Sequence, residues 1–134
     1  MRVTFDSNVF VSALNYPGTP ARILELAAVD AFRLQVSAEI LDETMGILAN
    51  KFRWPAQDIT EAHAVLSSIS QRVVPHVHLD LVERDPDDNR ILECAQSSGS
   101  DYIVTGDKDL LDLRQHASAR ILRPTEFLAL LQER

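Results

Sequence analysis

Cysteine is almost missing: Cys94 is the only one in 134 residues. That excludes a disulfide framework and a cysteine-built zinc site, and it fits a reducing cytoplasm. Long hydrophobic runs are missing as well. None approaches the roughly 20 residues that a transmembrane helix needs, so no membrane association is expected. Asp6 interrupts any apolar segment at the N-terminus, so no signal-peptide pattern is read there. Glycine is scarce, with four residues, and there is neither a Gly-rich phosphate loop nor a G-x-S-x-G elbow. Positive charge is short too: 13 Lys and Arg stand against 20 Asp and Glu, for a net charge of −7 and a pI near 4.9. A nucleic-acid binder ordinarily carries the opposite balance. Either nucleic acid is not the partner, or bound cations reverse the local field.

What is present is ordinary for a globular protein, at 46% hydrophobic and 25% charged residues. The length can bury a core without staples, and one domain over residues 1–134 is expected. Strand and helix patterns alternate. Val3, Thr4 and Phe5 read as a buried strand, followed by a helix from Val9 to Leu14. After the turn cluster Tyr16-Pro17-Gly18, Thr19 is placed to cap a helix with Pro20 at its first position. Phe32 to Val36 reads as a second strand, and Ser37 caps a helix running to about Lys51. Pro55 breaks the pattern before a further helix from about Gln57 to Ser70. Arg72 to Pro75 is expected as a short edge strand because it ends in proline. Helix then follows from Asn89 to about Ser98, with Gly99 as its C-cap. Strand 101–105, a short helix 108–113, strand 120–122 and a helix from Pro124 complete the chain. This alternation argues a three-layer α/β/α sandwich around a mostly parallel sheet.

Acids punctuate this pattern at one end of the sheet. Asp6 ends the first strand, Glu43 lies in the helix after the second, Asp88 starts the helix before the fourth, and Asp107 follows that strand. The carboxyl ends of strands are where ligands bind in open α/β sheets, although a lone Asp at such a turn is commonly a cap. Glu43 is preferred over Glu39 and Asp42 because it borders the apolar stripe of Ile40 and Ile47. Asp88 shares the inward face of Ile91, Leu92 and Ala95, whereas Asp87 is turned about 100° away and suits an N-cap. Asp109 reads as a helix-start charge or a group standing behind the site. Asp80, Glu83, Asp85, Asp87 and Asp88 crowd into nine positions. A solvated loop is the usual account of such a run, and a divalent-metal site the sharper one. Carboxylates gathered from separate elements repel, and a hard cation removes that cost.

These residues resemble a known family. Asp6-Ser7-Asn8-Val9 is similar to the opening motif of PIN-domain nucleases. Ser37, Ile40, Leu41 and Glu43 resemble the second motif, Asp85-Pro86-Asp87-Asp88-Asn89 with Ile91 and Ala95 the third, and Thr105-Gly106-Asp107-Lys108-Asp109-Leu110 the fourth. The resemblance implies a compact sandwich with a five-stranded parallel sheet. It implies a Mg²⁺- or Mn²⁺-dependent ribonuclease site formed by Asp6, Glu43, Asp88 and Asp107, with Asn8 and Thr105 orienting groups there. It also implies a cytoplasmic toxin of the VapC-like group, held by a small antitoxin. Two rivals stand beside this reading: a metal-binding regulatory domain without catalysis, and a metal-dependent phosphatase with Asp6 as nucleophile.

The remaining polar residues have quieter readings. His76 and His78 lie on one side of an extended segment with no third zinc ligand, so a solvent-facing pair is expected, and His63 and His116 read as surface residues. Lys51, Arg53 and Trp54 offer charge and stacking for RNA, or a packed helix end. Arg22, Arg90 and Lys108 stand near the acids in sequence, where they would hold phosphate or offset charge. The aliphatic residues Leu24, Leu26, Leu48, Val65, Leu66, Leu130 and Leu131 suggest surplus apolar surface, and with it a homodimer.

Overall fold

A computed structural model describes residues 1–133. The chain runs β1 (Arg2–Phe5), α1 (Ser7–Asn15), α2 (Thr19–Ala28), β2 (Arg33–Ser37), α3 (Ala38–Asn50), α4 (Ala56–Ile69), β3 (Ser70–Val73), α5 (Asp88–Ser98), β4 (Tyr102–Val104), α6 (Lys108–Leu113), β5 (Gln115–His116), β6 (Ala119–Leu122) and α7 (Pro124–Gln132). The strands form one sheet in the order β3-β2-β1-β4-β6-β5. All neighbours are parallel except β5 and β6, which pair antiparallel through Gln115 with Arg120 and His116 with Ala119. Among the described residues no helix is long and apolar enough to cross a membrane.

The sixth strand is a departure from the five expected. It has two residues, too few to show periodicity, and its turn uses Ala117 at φ 51° where glycine would be usual. Two further expectations shift. The strand expected at 72–75 begins at Ser70 and stops before Pro75, at the sheet edge. Thr19 lies inside α2 rather than capping it; the cap position is Gly18, whose φ of 131° favours glycine.

Apolar burial explains the layering. Val3, Phe5, Leu34, Val36, Ile103 and Val104 fill the sheet interior. On one side Phe5 meets Phe10 of α1 with ring centroids 5.5 Å apart, and Phe32 meets Phe127 of α7 at 5.0 Å. Helix α5 packs its Ile91, Leu92, Cys94 and Ala95 into the same core and lies against β1, β2, β3 and β4. Right-handed crossovers require opposite faces for connections that leave β1 towards β2 and return from β3 to β4. Cys94 is a core residue whose thiol burial pushes up to about 11. A smaller cluster joins Val11, Leu48 and Ala62 with Phe52 and Trp54. Trp54 donates its indole N–H to Asn15 at 3.0 Å, which favours packing over RNA stacking for that ring. Of the aliphatic residues read as surplus, Leu48 and Leu66 are wholly buried, Leu24, Leu26, Leu130 and Leu131 lean on the core, and Val65 is 52% exposed.

The order of connections places the site. From β1 the chain moves to β2 and β3 on one side, then jumps back to β4 on the other. The carboxyl ends of β1 and β4 therefore flank the switch point, where α/β sheets open a crevice for ligands.

Candidate metal centre

Asp6 leaves β1 at this crevice and is only 2% exposed. Its backbone N–H donates to Val104 of β4, which ties the two strand ends together. Thr105 Oγ1 donates to Asp6 Oδ2 at 2.7 Å and accepts the N–H of Asp107 at 2.9 Å. A single buried hydroxyl thus holds two acids in register. Asp107 caps α6, receiving the N–H groups of Asp109 and Leu110 on Oδ1 alone. The cap uses only one of its two oxygens. Asn8 supports Asp6 through its backbone N–H at 3.4 Å, and the residue is exposed. Asp109 likewise contributes an N–H at the start of α6, in line with the helix-start reading.

Asp88 begins α5 and is 4% exposed. As the helical phase predicts, it is buried together with Ile91, Leu92 and Ala95. Its Oδ2 is buried with no hydrogen-bond partner. Oxygens of Asp85, Asp88 and Asp107 all lie within 4.8 Å of one another. The tight cluster therefore contains two of the four expected acids together with Asp85, a member of the acidic run and of the third motif. Asp6 acts on Asp88 by charge, and Glu43 feels the charges of Asp6 and Asp85.

Asp87 occupies the N-cap position as expected, but its side chain makes no cap bond. Its backbone is already helical at φ −66°, ψ −26°. Asp85 does that work instead. Its carbonyl accepts Asp88 N–H at 3.0 Å, and its Oδ1 accepts Asp87 N–H at 3.2 Å. Pro86 at the second position of this turn presets the backbone.

Electrostatics mark the same place. Burial raises the pKa of Asp88 well above the ordinary carboxylate value; the charges of Asp107, Asp85 and Asp6 add to the rise, as does the close approach of the Asp107 side chain, which favours a proton on Asp88. Glu43 is pushed up to about 7, first by burial and then by Asp87, Asp6 and Asp85. Asp6 is raised by burial; hydrogen bonds from Thr105 and Asn8 pull it back, and Asp107 and Asp85 push it up again. The basic side chains that seemed close in sequence are engaged elsewhere. Arg90 pairs with Glu93 at 3.0 Å, Lys108 with Asp112 and Arg22 with Glu25. His63, His76 and His78 are exposed as expected, and His116 is partly buried against Gln96. A site of acids alone, with one buried oxygen unpartnered, fits a hard divalent cation that takes carboxylate and water oxygens. Asp85, Asp88 and Asp107 would hold it, with Asp6 and Glu43 alongside.

Comparison with known proteins agrees with this geometry. The PIN domain family matches residues 2–109. The uncharacterized protein MJ1680 of Methanocaldococcus jannaschii is 34% identical over 119 residues, covering 85% of this chain and 76% of the relative. Among solved structures, VapBC2 from Rickettsia felis bound to a DNA fragment from its promoter superposes with a TM-score of 0.65. That match has 16% identity and covers 92% of this chain and 98% of the other. The Mycobacterium tuberculosis toxin VapC20, described as cleaving the sarcin-ricin loop, superposes with a TM-score of 0.59 at 17% identity, covering 88% and 98%. At those identities the two structures speak for the fold alone. The match over residues 2–109, on a switch-point sheet with its acids at the carboxyl ends of β1 and β4, makes this chain a member of the PIN domain family.

Proposed function

We propose that this protein is a metal-dependent ribonuclease that hydrolyses RNA phosphodiester bonds at the acid cluster, with Asp6, Glu43, Asp88 and Asp107 as its working residues. The observation that carries this is the meeting of Asp85, Asp88 and Asp107 carboxylates within 4.8 Å of one another, with a buried Asp88 oxygen left unpartnered, in a PIN-domain chain. Mg²⁺ or Mn²⁺ bound there would activate water and offset charge at phosphorus. It would also answer the wrong-signed net charge, since the carboxylates alone repel RNA. Glu43, pushed up to about 7, exchanges a proton close to neutral pH and is suited to general acid–base work beside the cluster. Thr105 keeps Asp6 and the Asp107 backbone in place.

The phosphatase alternative needs Asp6 as an accessible nucleophile. Asp6 is buried, and Thr105 and Asn8 occupy both of its oxygens, which counts against that role. By analogy with the VapBC2 complex and the VapC20 toxin, residues 1–134 work as one domain, a toxin in the cytoplasm restrained by a small antitoxin. Homodimerisation belongs to the same reading.

The test uses purified protein with labelled single-stranded RNA, the same sequence as DNA, and p-nitrophenyl phosphate, each in Mn²⁺, Mg²⁺ or EDTA. RNA should be cut only with metal. Release of p-nitrophenol without RNA cleavage would favour the phosphatase, and no turnover of any substrate would favour the regulatory domain.

A further inference from the structure

The acidic loop is strapped to α5 along its length. Residues 76–82 run antiparallel to the helix and are bonded to it at successive turns. Ser97 Oγ accepts the N–H of His76 at 3.1 Å, and Glu93 Oε2 accepts that of Leu79 at 2.8 Å. Asn89 Oδ1 accepts the N–H groups of Leu81 and Val82 at 2.8 and 2.9 Å, while its Nδ2 donates to the Val82 carbonyl at 2.9 Å. Arg90 closes the row, donating to the Leu79 carbonyl at 3.1 Å and pairing with Glu93. Asn89, Glu93 and Ser97 are four residues apart and share one flank of the helix. Asn89 and Glu93 are buried. Burying such groups is costly unless they are bonded, and each is spent on backbone of the strap.

The strap has a destination. Val82 drops into the core, and three residues later the chain presents Asp85. Asp85 is then held from the other side by the turn into α5. Asn89 therefore clamps the strap one residue after Asp88 enters the cluster. Asp88 adds a buried Oδ2 that no protein donor satisfies, which suits an oxygen that binds a cation.

Resting on the metal reading above, we propose that Asp85 is a third metal ligand and that Asn89 is the positioning residue that places it, acting through the strap. The test is Mn²⁺ affinity of the full chain, read by electron paramagnetic resonance without RNA. Asp85→Asn should weaken Mn²⁺ binding roughly 10- to 100-fold, and Asn89→Ala about 10-fold, the range seen when groups behind a metal ligand are lost. Inserting one glycine between Glu83 and Arg84 leaves every strap bond intact but slackens the delivery of Asp85. It should weaken Mn²⁺ binding as much as Asp85→Asn does, and it carries the test even if Asn89→Ala fails to fold. In the double variant, Asn89→Ala should add nothing to Asp85→Asn, because both act on one ligand. Wild-type affinity in Asp85→Asn and in the insertion variant would overturn the proposal. So would a full additional loss from Asn89→Ala on top of Asp85→Asn. Mn²⁺ binding without RNA cleavage would sink the nuclease reading and leave this one standing. A wild-type protein that does not bind Mn²⁺ would sink both.

Discussion

Replacing Asp88 by Asn removes one charge from the acid cluster and keeps its shape. The oxygens of Asp85, Asp88 and Asp107 lie within 4.8 Å. At that separation and an effective dielectric near 20, one like-charged pair costs about 3–4 kcal/mol. Asp88 faces two such neighbours. The realised cost is smaller, because solvent screens the exposed side and because Asp88 can take a proton instead. Protonation costs about 1.4 kcal/mol for each pH unit above the ordinary carboxylate value. The Asn amide also offers a donor to the neighbouring carboxylates where Oδ2 now has no partner. A net gain of about 1–2 kcal/mol is expected, which is roughly 3–10 °C in Tm for a chain of this size. The assay is thermal melting in EDTA at pH 7.5 and at pH 4.5. Because burial and like charge raise the folded pKa of Asp88 above its unfolded value, the folded state holds that proton more tightly. Stability is therefore lost as pH climbs from the carboxylate range through the raised value. The Asn variant has no such loss, so its advantage should be present at pH 7.5 and shrink at pH 4.5. A variant that melts below wild type at pH 7.5, or a gap indifferent to pH, would refute the reasoning.

Saturating Mn²⁺, at about 100 times its Kd, should stabilise the wild type by about 2.7 kcal/mol through ligand linkage and stabilise Asp88→Asn far less, by the same melting assay. Thr105→Val should cost about 1–3 kcal/mol by urea unfolding and reduce RNA cleavage, because it strands Asp6 Oδ2 and the Asp107 N–H together. Asp87→Ala should leave stability within about 0.5 kcal/mol and most cleavage intact, since the Asp87 side chain caps nothing. Asp6→Asn should melt no higher than wild type in EDTA, because both of its oxygens already accept hydrogen bonds.

Strand ends were the most legible part of the sequence. Asp6 and Asp107 follow runs of β-formers, and a strand's end fixes where the next side chains stand. Asp88 was legible for a different reason: a helix has one phase, and Ile91, Leu92 and Ala95 set it. That logic stops at the helix start. Asp85 lies in a turn outside the phase, so only the fold brings it to within 4.8 Å of Asp88 and Asp107. Asp87 does stand at the N-cap, but its helix-like backbone keeps its side chain from making a cap bond. Asn89 and Glu93 carried a faint signal, a polar pair four apart beside an apolar face. Their partners are backbone groups of Leu79, Leu81 and Val82, which no side-chain pattern reveals. Strand β5 was hidden because its pairing depends on β6 rather than on its own two residues.

The central claim is that the acid cluster cuts RNA by way of a bound divalent ion. The most direct measurement is a Mn²⁺ titration of single-stranded RNA cleavage, run beside Mn²⁺ binding on the same protein and repeated with Asp88→Asn. The account predicts no cleavage in EDTA, half-maximal cleavage at the Mn²⁺ concentration that half-fills the site, and loss of both binding and cleavage in Asp88→Asn. Cleavage that persists in EDTA, or that survives in Asp88→Asn at wild-type rate, would contradict it.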